Sequence, residues 1–133
     1  MMNGRRGLLV SAIAAGILLM GAVPASAGDV AMTRSPVGDW RTHTNGVKQT
    51  ITFAKDGSVF GDSGCNRFTG SYKVKGDRIT IGPLASTMMA CPEPQMSAEM
   101  TFLTRLQAAV SYHATSKVLK VFAPKDMIRF TAR

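Results

Sequence analysis

The sequence predicts a small single domain of the α+β class, with an antiparallel, barrel-like β-sheet and one packed α-helix. From Gln49 onward, short segments alternate apolar and polar residues and are separated by turn dipeptides, which is typical of antiparallel strands. One segment, from Met96 to Val110, has the helical period instead. The chain has 133 residues, enough for one hydrophobic core and too few for two domains once a leader is removed.

Three pairs of segments have the pattern of β-hairpins. In the first pair, Ile51 and Phe53 alternate with polar residues, Asp56-Gly57 forms the turn, and Val59-Phe60 resumes the apolar pattern. The other two pairs have strands around Tyr72, Val74, Ile79 and Ile81 with a turn at Gly76-Asp77, and around Leu119, Val121, Ile128 and Phe130 with a turn at Pro124-Lys125-Asp126.

The helical segment carries one apolar stripe and follows two prolines. Pro92 and Pro94 lie before or at the predicted first turn, where a missing backbone N–H costs little. We expect the stripe to pack against the inner face of the sheet, because so short a chain offers it no other partner. Its members are Met96, Met100, Leu103, Leu106 and Val110.

The first 27 residues have the organisation of a secretory signal peptide. Arg5-Arg6 precede an uncharged segment from Gly7 to Val23, and Ala25-Ser26-Ala27 provides the small side chains that the peptidase accepts. We expect Sec-type export, cleavage after Ala27, and a periplasmic or secreted protein with no stable membrane anchor. An uncleaved membrane anchor is the alternative.

The rest of the chain is predicted to be a loose N-terminal lead over residues 28–35 and a folded domain over residues 36–133. Residues 28–133 keep fourteen Lys and Arg against eight Asp and Glu. The densest basic group, Lys73, Lys75 and Arg78, lies on one predicted hairpin without interleaved aromatic residues, so no nucleic-acid partner is predicted. We expect a monomer that binds an envelope protein or a small ligand, with weak attraction to anionic envelope surfaces.

Gly61-Asp62-Ser63-Gly64 contains the four letters that surround the nucleophile of trypsin-like serine proteases. Such a site needs two β-barrels to bring a distant His and Asp to the serine, and this chain is about half that size. His43 and Asp56 precede Ser63 in the required order, but Asp56 lies in a predicted tight turn. We therefore predict no catalytic residue. The glycines of this region, Gly61, Gly64 and Gly70, are interpreted as sites of bulges and close backbone approach.

Cys65 and Cys91 are the only cysteines, and an even count in an oxidising compartment predicts a disulfide. A pair of buried thiols is one alternative. Another is a Cu(I) site, because thioether and thiolate sulfur are soft ligands. Its candidate ligands are Met88, Met89, Cys91 and Met96 with His43 or His113, but no metal-binding spacing occurs, so no metal or cofactor is predicted.

Five further residues are functional candidates by residue type. Trp40, at the start of the first predicted strand, is expected to anchor the core, with a binding role as the alternative. His43 and His113 are single histidines on predicted strands and are interpreted as ordinary surface or core residues. Glu93 and Glu99 have no carboxylate partner at a helical spacing that suggests general acid–base work.

A series of short motifs extends over residues 36–132. Its most specific parts are Gly64-Cys65-Asn66 with Gly70-Ser71-Tyr72, and Thr87-Met88-Met89-Ala90-Cys91. It also includes Gly38-Asp39-Trp40, Ile51-Thr52-Phe53, Ile79-Thr80-Ile81, Leu119-Lys120-Val121 and Ile128-Arg129-Phe130. The series resembles the META-domain family, the type named after the bacterial heat-shock protein HslJ. One departure is Arg41-Thr42, which follows Trp40 where an alternating apolar residue is usual.

The resemblance implies a small α+β domain in an envelope protein without an agreed biochemical activity. Members are linked to heat stress, to resistance to the antibiotic novobiocin and, in some parasites, to secretion and motility. The resemblance attaches no catalytic residue, cofactor or metal to the motifs, and it supports the pairing of Cys65 with Cys91. The motif residues assigned a structural role are Trp40, Gly64, Asn66, Gly70, Tyr72, Thr87 and Met89.

The combined prediction is an exported, non-enzymatic protein of the bacterial envelope with a stress-associated role in binding or support. Two alternatives from other classes stay open. One is a periplasmic inhibitor of a hydrolase, and the other is a protein that binds a small ligand or copper.

Overall fold

The structure is a computed structural model that describes residues 34–133. This part of the chain forms nine strands and one helix. The predicted signal peptide and residues 28–33 of the predicted lead lie outside the described residues. The elements are β1 (Gly38–Thr44), β2 (Val47–Phe53), β3 (Ser58–Asp62), β4 (Arg67–Lys75), β5 (Arg78–Ile81), β6 (Ala85–Ser86), α1 (Gln95–Gln107), β7 (Ser111–Ala114), β8 (Val118–Ala123) and β9 (Asp126–Ala132).

The strands close into a barrel. Their order is β3-β2-β1-β9-β8-β7-β5-β4, and β3 also pairs with β4, so eight strands form a ring. The short β6 pairs with β4 beside that ring. Every pairing among the described strands is antiparallel. The predicted α+β class and barrel-like sheet are therefore confirmed.

The three predicted hairpins are confirmed as β2–β3, β4–β5 and β8–β9. A fourth hairpin, which sequence analysis did not identify, joins β1 to β2 through Asn45-Gly46. Both turn residues have positive φ, 51° and 80°, as a type I′ turn requires. The register continues from Thr44↔Val47 to Gly38↔Phe53, so Arg41-Thr42 does not interrupt the pairing of β1.

The core consists of inward-facing strand residues and one face of α1. The predicted apolar stripe of the helix is wrong in part. Ala98, Glu99, Phe102 and Leu106 are the buried helix residues, whereas Met100 is 68% exposed. Val110 follows the end of α1 and is 38% exposed.

The ring of Phe102 explains why α1 buries a different face from the predicted apolar stripe. This ring packs edge-on between Phe68 at 5.8 Å and Phe130 at 6.1 Å, measured between ring centroids. Such a large buried ring decides which side of α1 faces the barrel. Pro94 lies at the N-cap of the helix, as its position before the first turn predicts. Within residues 34–133, no helix is long and apolar enough to cross a membrane.

Candidate functional site

Ser63, the serine of the protease-like tetrapeptide, is completely buried just after β3. Its hydroxyl donates to the carboxylate of Glu99 on α1 and lies 2.7 Å from the carbonyl oxygen of Asn66. Its backbone N–H donates to the same carbonyl at 2.9 Å, which closes a tight loop over residues 63–66. Ser63 therefore has no exposed surface from which to attack a substrate, and its hydroxyl holds the loop to the helix.

Glu99 is the centre of this buried network, a role that sequence analysis did not assign to it. The side chain is 9% exposed, and its carboxylate accepts from the backbone N–H of Asn66 at 2.9 Å and from Asn66 Nδ2 at 2.9 Å. A buried carboxylate is costly unless several donors surround it, and here Ser63 and Asn66 provide three. The network therefore joins the loop to the buried face of α1.

The side chain of Asn66 also binds the segment before the helix. Its Oδ1 accepts from the backbone N–H of Met89 at 2.7 Å and from the hydroxyl of Thr87 at 2.9 Å, while its Nδ2 donates to the carbonyl of Met89 at 3.1 Å. Together with the bond to Glu99, these contacts use the full hydrogen-bonding capacity of the amide. The structure thus brings together Asn66, Thr87 and Met89, which were assigned a structural role from the motifs.

Gln49 extends the network to β2, a role that sequence analysis did not assign to it. It is completely buried and its Nε2 donates to the carbonyls of Ser63 at 2.8 Å and Ala98 at 3.0 Å. Its Oε1 accepts from the hydroxyl of Thr44 at 2.6 Å. Gln49 lies two residues before Ile51 on β2, so the strand alternation places it on the buried face. The alternation does not show its partners, which are carbonyls of the loop and of the helix.

Cys65 and Cys91 form the predicted disulfide, with Cα atoms 5.9 Å apart. The bond attaches the loop a second time to the segment before α1. Since Cys91 is bonded, it offers no thiolate to a metal, and Met88 and Met89 are 92% and 58% exposed. Among residues 34–133, no group of three or more His, Cys, Asp and Glu side chains is placed to hold a metal.

The remaining motif residues occupy structural positions in the barrel. Trp40 is 4% exposed and its indole N–H donates to the carbonyl of Pro36 at 2.8 Å. Tyr72 packs edge-on against Phe53, with ring centroids 5.0 Å apart, and its hydroxyl donates to a backbone carbonyl of the β2–β3 turn. Burial raises the pKa of Tyr72 above its ordinary value. Gly64 has a φ of 101°, a conformation that side chains rarely adopt.

An open groove of about 620 Å³ lies on the outer wall of the barrel next to this loop. We call it the outer groove. Asp62 and Arg67, which flank the loop and are cross-strand partners on β3 and β4, both line it. Its other lining residues are Thr50, Thr52, Phe60, Gly61, Phe68, Thr69, Ala85, Ser86, Thr87 and Arg133. The loop network therefore fixes one wall of the groove.

The lining of the outer groove combines an exposed aromatic ring with charges and hydroxyl groups. Phe60 is 44% exposed, which is unusual for a large aromatic side chain on a sheet with a well-filled interior. Among the described residues, neither Arg67 nor Arg133 forms an ion pair with a carboxylate. Such a surface offers stacking to a flat apolar group and charged hydrogen bonds to an anion. Sequence analysis did not identify this set, because its members come from separate strands.

Solved structures and a family model relate the chain to known proteins. An NMR structure of a protein from Burkholderia xenovorans matches with a TM-score of 0.62 and 22% sequence identity, over 72% of this chain and 81% of that chain. A crystal structure at 1.00 Å of a DUF4847 family protein from Bacteroides vulgatus ATCC 8482 matches with a TM-score of 0.55 and 22% identity, over 64% of this chain and 59% of that chain. These likenesses show a shared fold. No curated protein matches. The model of the META domain matches residues 35–132, and the chain belongs to the META domain family.

Proposed function

We propose that this chain is an exported, non-enzymatic binding protein of the bacterial envelope, and that the outer groove is its binding surface. The ligand it fits is small, with a flat apolar part and an anionic group. The observation that carries the proposal is the exposed ring of Phe60 two residues before Asp62 on β3, where Asp62 pairs with Arg67 of β4, in an open groove. Exposed Phe60 gives such a ligand a stacking face, and Arg67 gives it a charged donor.

The rigid support behind the groove favours a binding role. Asp62 and Arg67 lie on either side of the loop that Glu99, Asn66 and the disulfide hold in place. A loop fixed in this way keeps the two charged side chains in one geometry before a ligand arrives, which lowers the entropy cost of binding. The protease-like motif Gly61-Asp62-Ser63-Gly64 is part of this rigid support, because its Ser63 is buried.

Export and a role under stress are parts of the same proposal. The predicted signal peptide and the Cys65–Cys91 disulfide both favour an oxidising compartment. A domain stabilised by a disulfide is suited to function during heat stress or antibiotic exposure. The intact mass of protein from the periplasmic fraction tests export. A chain that starts at Gly28 and is two hydrogens lighter than its reduced form supports it, and a chain that retains residues 1–27 contradicts it.

Binding in the outer groove is tested by NMR titration of the ¹⁵N-labelled protein with phenyl phosphate and benzoate. We expect shifts of the amide signals of Thr50, Phe60 and Thr69, and we expect Phe60→Ser and Arg67→Gln each to abolish them. Lys73→Gln is the matched control, because Lys73 is exposed on β4 outside the groove. Shifts that survive both groove variants, or that are absent with both probes, would contradict the assignment of the groove as the binding surface.

A further inference from the structure

Three neighbouring strands carry a row of basic side chains on the outer wall of the barrel. The register of β7 and β8 pairs His113 with Lys120, and that of β8 and β9 pairs Lys120 with Arg129. His113 and Arg129 are exposed, and Lys120 is half-buried between them. These side chains point away from the core, since their neighbours Tyr112, Leu119 and Phe130 are buried.

The same row continues across β1 and β2. The register of β1 and β9 pairs Arg41 with Thr131, and continuing this antiparallel register by two residues places His43 level with Arg129. The hydroxyl of Thr42 donates to the carbonyl of Arg129 at 2.8 Å, which holds the two strands together at that level. His43 in turn pairs with Lys48 on β2. We call these five side chains, His113, Lys120, Arg129, His43 and Lys48, the basic stripe.

The positive charge of Lys48, Lys120 and Arg129 in the basic stripe is not neutralised by the protein itself. Lys120 and Arg129 are cross-strand partners on strands about 4.8 Å apart, so these two like charges repel each other and lower stability. Within residues 34–133, none of the five side chains makes a hydrogen bond or an ion pair. The salt bridge found in this part of the chain joins two other residues, Arg105 and Asp126. No carboxylate lies in the row. An arrangement that costs stability and is not compensated internally favours an external anionic partner.

The shape of the basic stripe selects among anionic partners. It crosses five consecutive strands of an eight-stranded ring, so it follows the convex circumference of the barrel. A flat membrane surface touches only part of such a curve, whereas a flexible linear polymer can follow all of it. The row contains no Phe, Tyr or Trp on which bases could stack, which disfavours single-stranded nucleic acid. We propose that the basic stripe binds a linear polyanion of repeating phosphate groups without bases, laid around the barrel across its strands.

Inorganic polyphosphate labelled with a fluorophore is the probe, and its dissociation constant is measured by anisotropy at several salt concentrations. The variant Lys120→Gln/Arg129→Gln removes two charges from the centre of the stripe. The matched control Lys73→Gln/Lys75→Gln removes two charges from exposed positions on β4, outside the stripe. We expect the stripe variant to bind about ten-fold more weakly and to lose about two units of the salt slope, because two phosphate contacts disappear. The control should change affinity less than about two-fold.

Three results would overturn the proposal. Equal losses of affinity in the stripe variant and the control would show that polyphosphate binds through the net charge of the protein alone. Tighter binding of vesicles that contain anionic lipid than of polyphosphate, lost in the stripe variant, would assign the stripe to a membrane. Tighter binding of a single-stranded oligonucleotide of the same charge would assign it to nucleic acid. Thermal unfolding of each variant checks that it is folded. These experiments are independent of the outer groove, which Phe60→Ser tests separately.

Discussion

The carboxylate of Glu99 accepts two hydrogen bonds from one residue, Asn66, through its backbone N–H and its side-chain amide. The two residues are 33 positions apart in the chain, so this contact joins the loop after β3 to the middle of α1. Because the same amide also binds the backbone of Met89, Asn66 holds three segments together. This relationship explains why a motif with protease-like letters is a structural element in this fold.

Replacement of the Glu99 carboxylate by an amide should destabilise the protein. In Glu99→Gln, one oxygen acceptor becomes an amide donor that faces the donors of Asn66 and Ser63. A buried donor without a partner costs about 1–3 kcal/mol, and we expect a loss of that size in the free energy of unfolding, measured by urea denaturation. The control Glu93→Gln alters an exposed carboxylate whose hydrogen bonds from Ser97 an amide oxygen can still accept, so it should change stability by less than about 0.5 kcal/mol. Equal effects of the two substitutions would contradict a central role for Glu99.

The strands were predictable from sequence because alternation and turn dipeptides are local signals. The hairpins at Asp56-Gly57 and Gly76-Asp77 were found in this way, and Asn45-Gly46 carries the same kind of signal although it was not used. The disulfide followed from cysteine count and compartment. The partners of Glu99 and Gln49 could not be assigned, because they lie on distant segments of the chain. The outer groove combines three consecutive strands with the β6 segment and Arg133, and the basic stripe passes from β9 to β1, so no single local pattern contains either set.

Removal of the disulfide should lower stability without unfolding the protein at room temperature. The bond closes a loop of 26 residues, and the chain-entropy model gives about 3.5 kcal/mol for that length. In Cys65→Ser/Cys91→Ser, the bonds of Asn66 to Glu99 and Met89 still hold the loop, so we expect a lower urea midpoint and an unchanged circular dichroism spectrum. Wild-type protein in reductant is the control and should show the same lower urea midpoint and the same unchanged spectrum. No shift in either sample would show that the bond stabilises nothing.

A methyl group at Gly70 should disturb the strand that borders the outer groove. A Cβ there would lie 2.7 Å from Leu84 Cδ2 and 2.7 Å from the carbonyl oxygen of Pro83, closer than normal contacts allow. In Gly70→Ala the segment leading into β6 has to move, and such overpacking costs about 1–3 kcal/mol. We expect a lower melting temperature by calorimetry. Ser71→Ala, at an exposed neighbouring position of β4, should melt within about 2 °C of the wild type. Comparable losses in both variants would contradict the close approach at Gly70.

The stability of the barrel should decline at alkaline pH because of Tyr112. Burial, and then the negative charge of Asp77, raise the pKa of Tyr112 above its ordinary value of 10.0. The raised pKa means that the folded state favours the neutral phenol, so this contribution to stability is complete below pH 10 and is lost as pH rises through the folded pKa. Its hydroxyl donates to the carbonyl of Gly76 at 3.1 Å, a bond that ionisation removes.

Tyr112→Phe separates this effect from other alkaline titrations. At pH 8 the variant should be less stable by about 1 kcal/mol, because the hydrogen bond is lost. Above about pH 10 its free energy of unfolding should fall less steeply than that of the wild type, since one titrating phenol is gone. Tyr72→Phe/Tyr112→Phe should flatten the decline further, because burial also raises the pKa of Tyr72. The measurement is a series of urea denaturation curves across that pH range, and parallel slopes for all three proteins would assign the alkaline loss to groups other than the tyrosines.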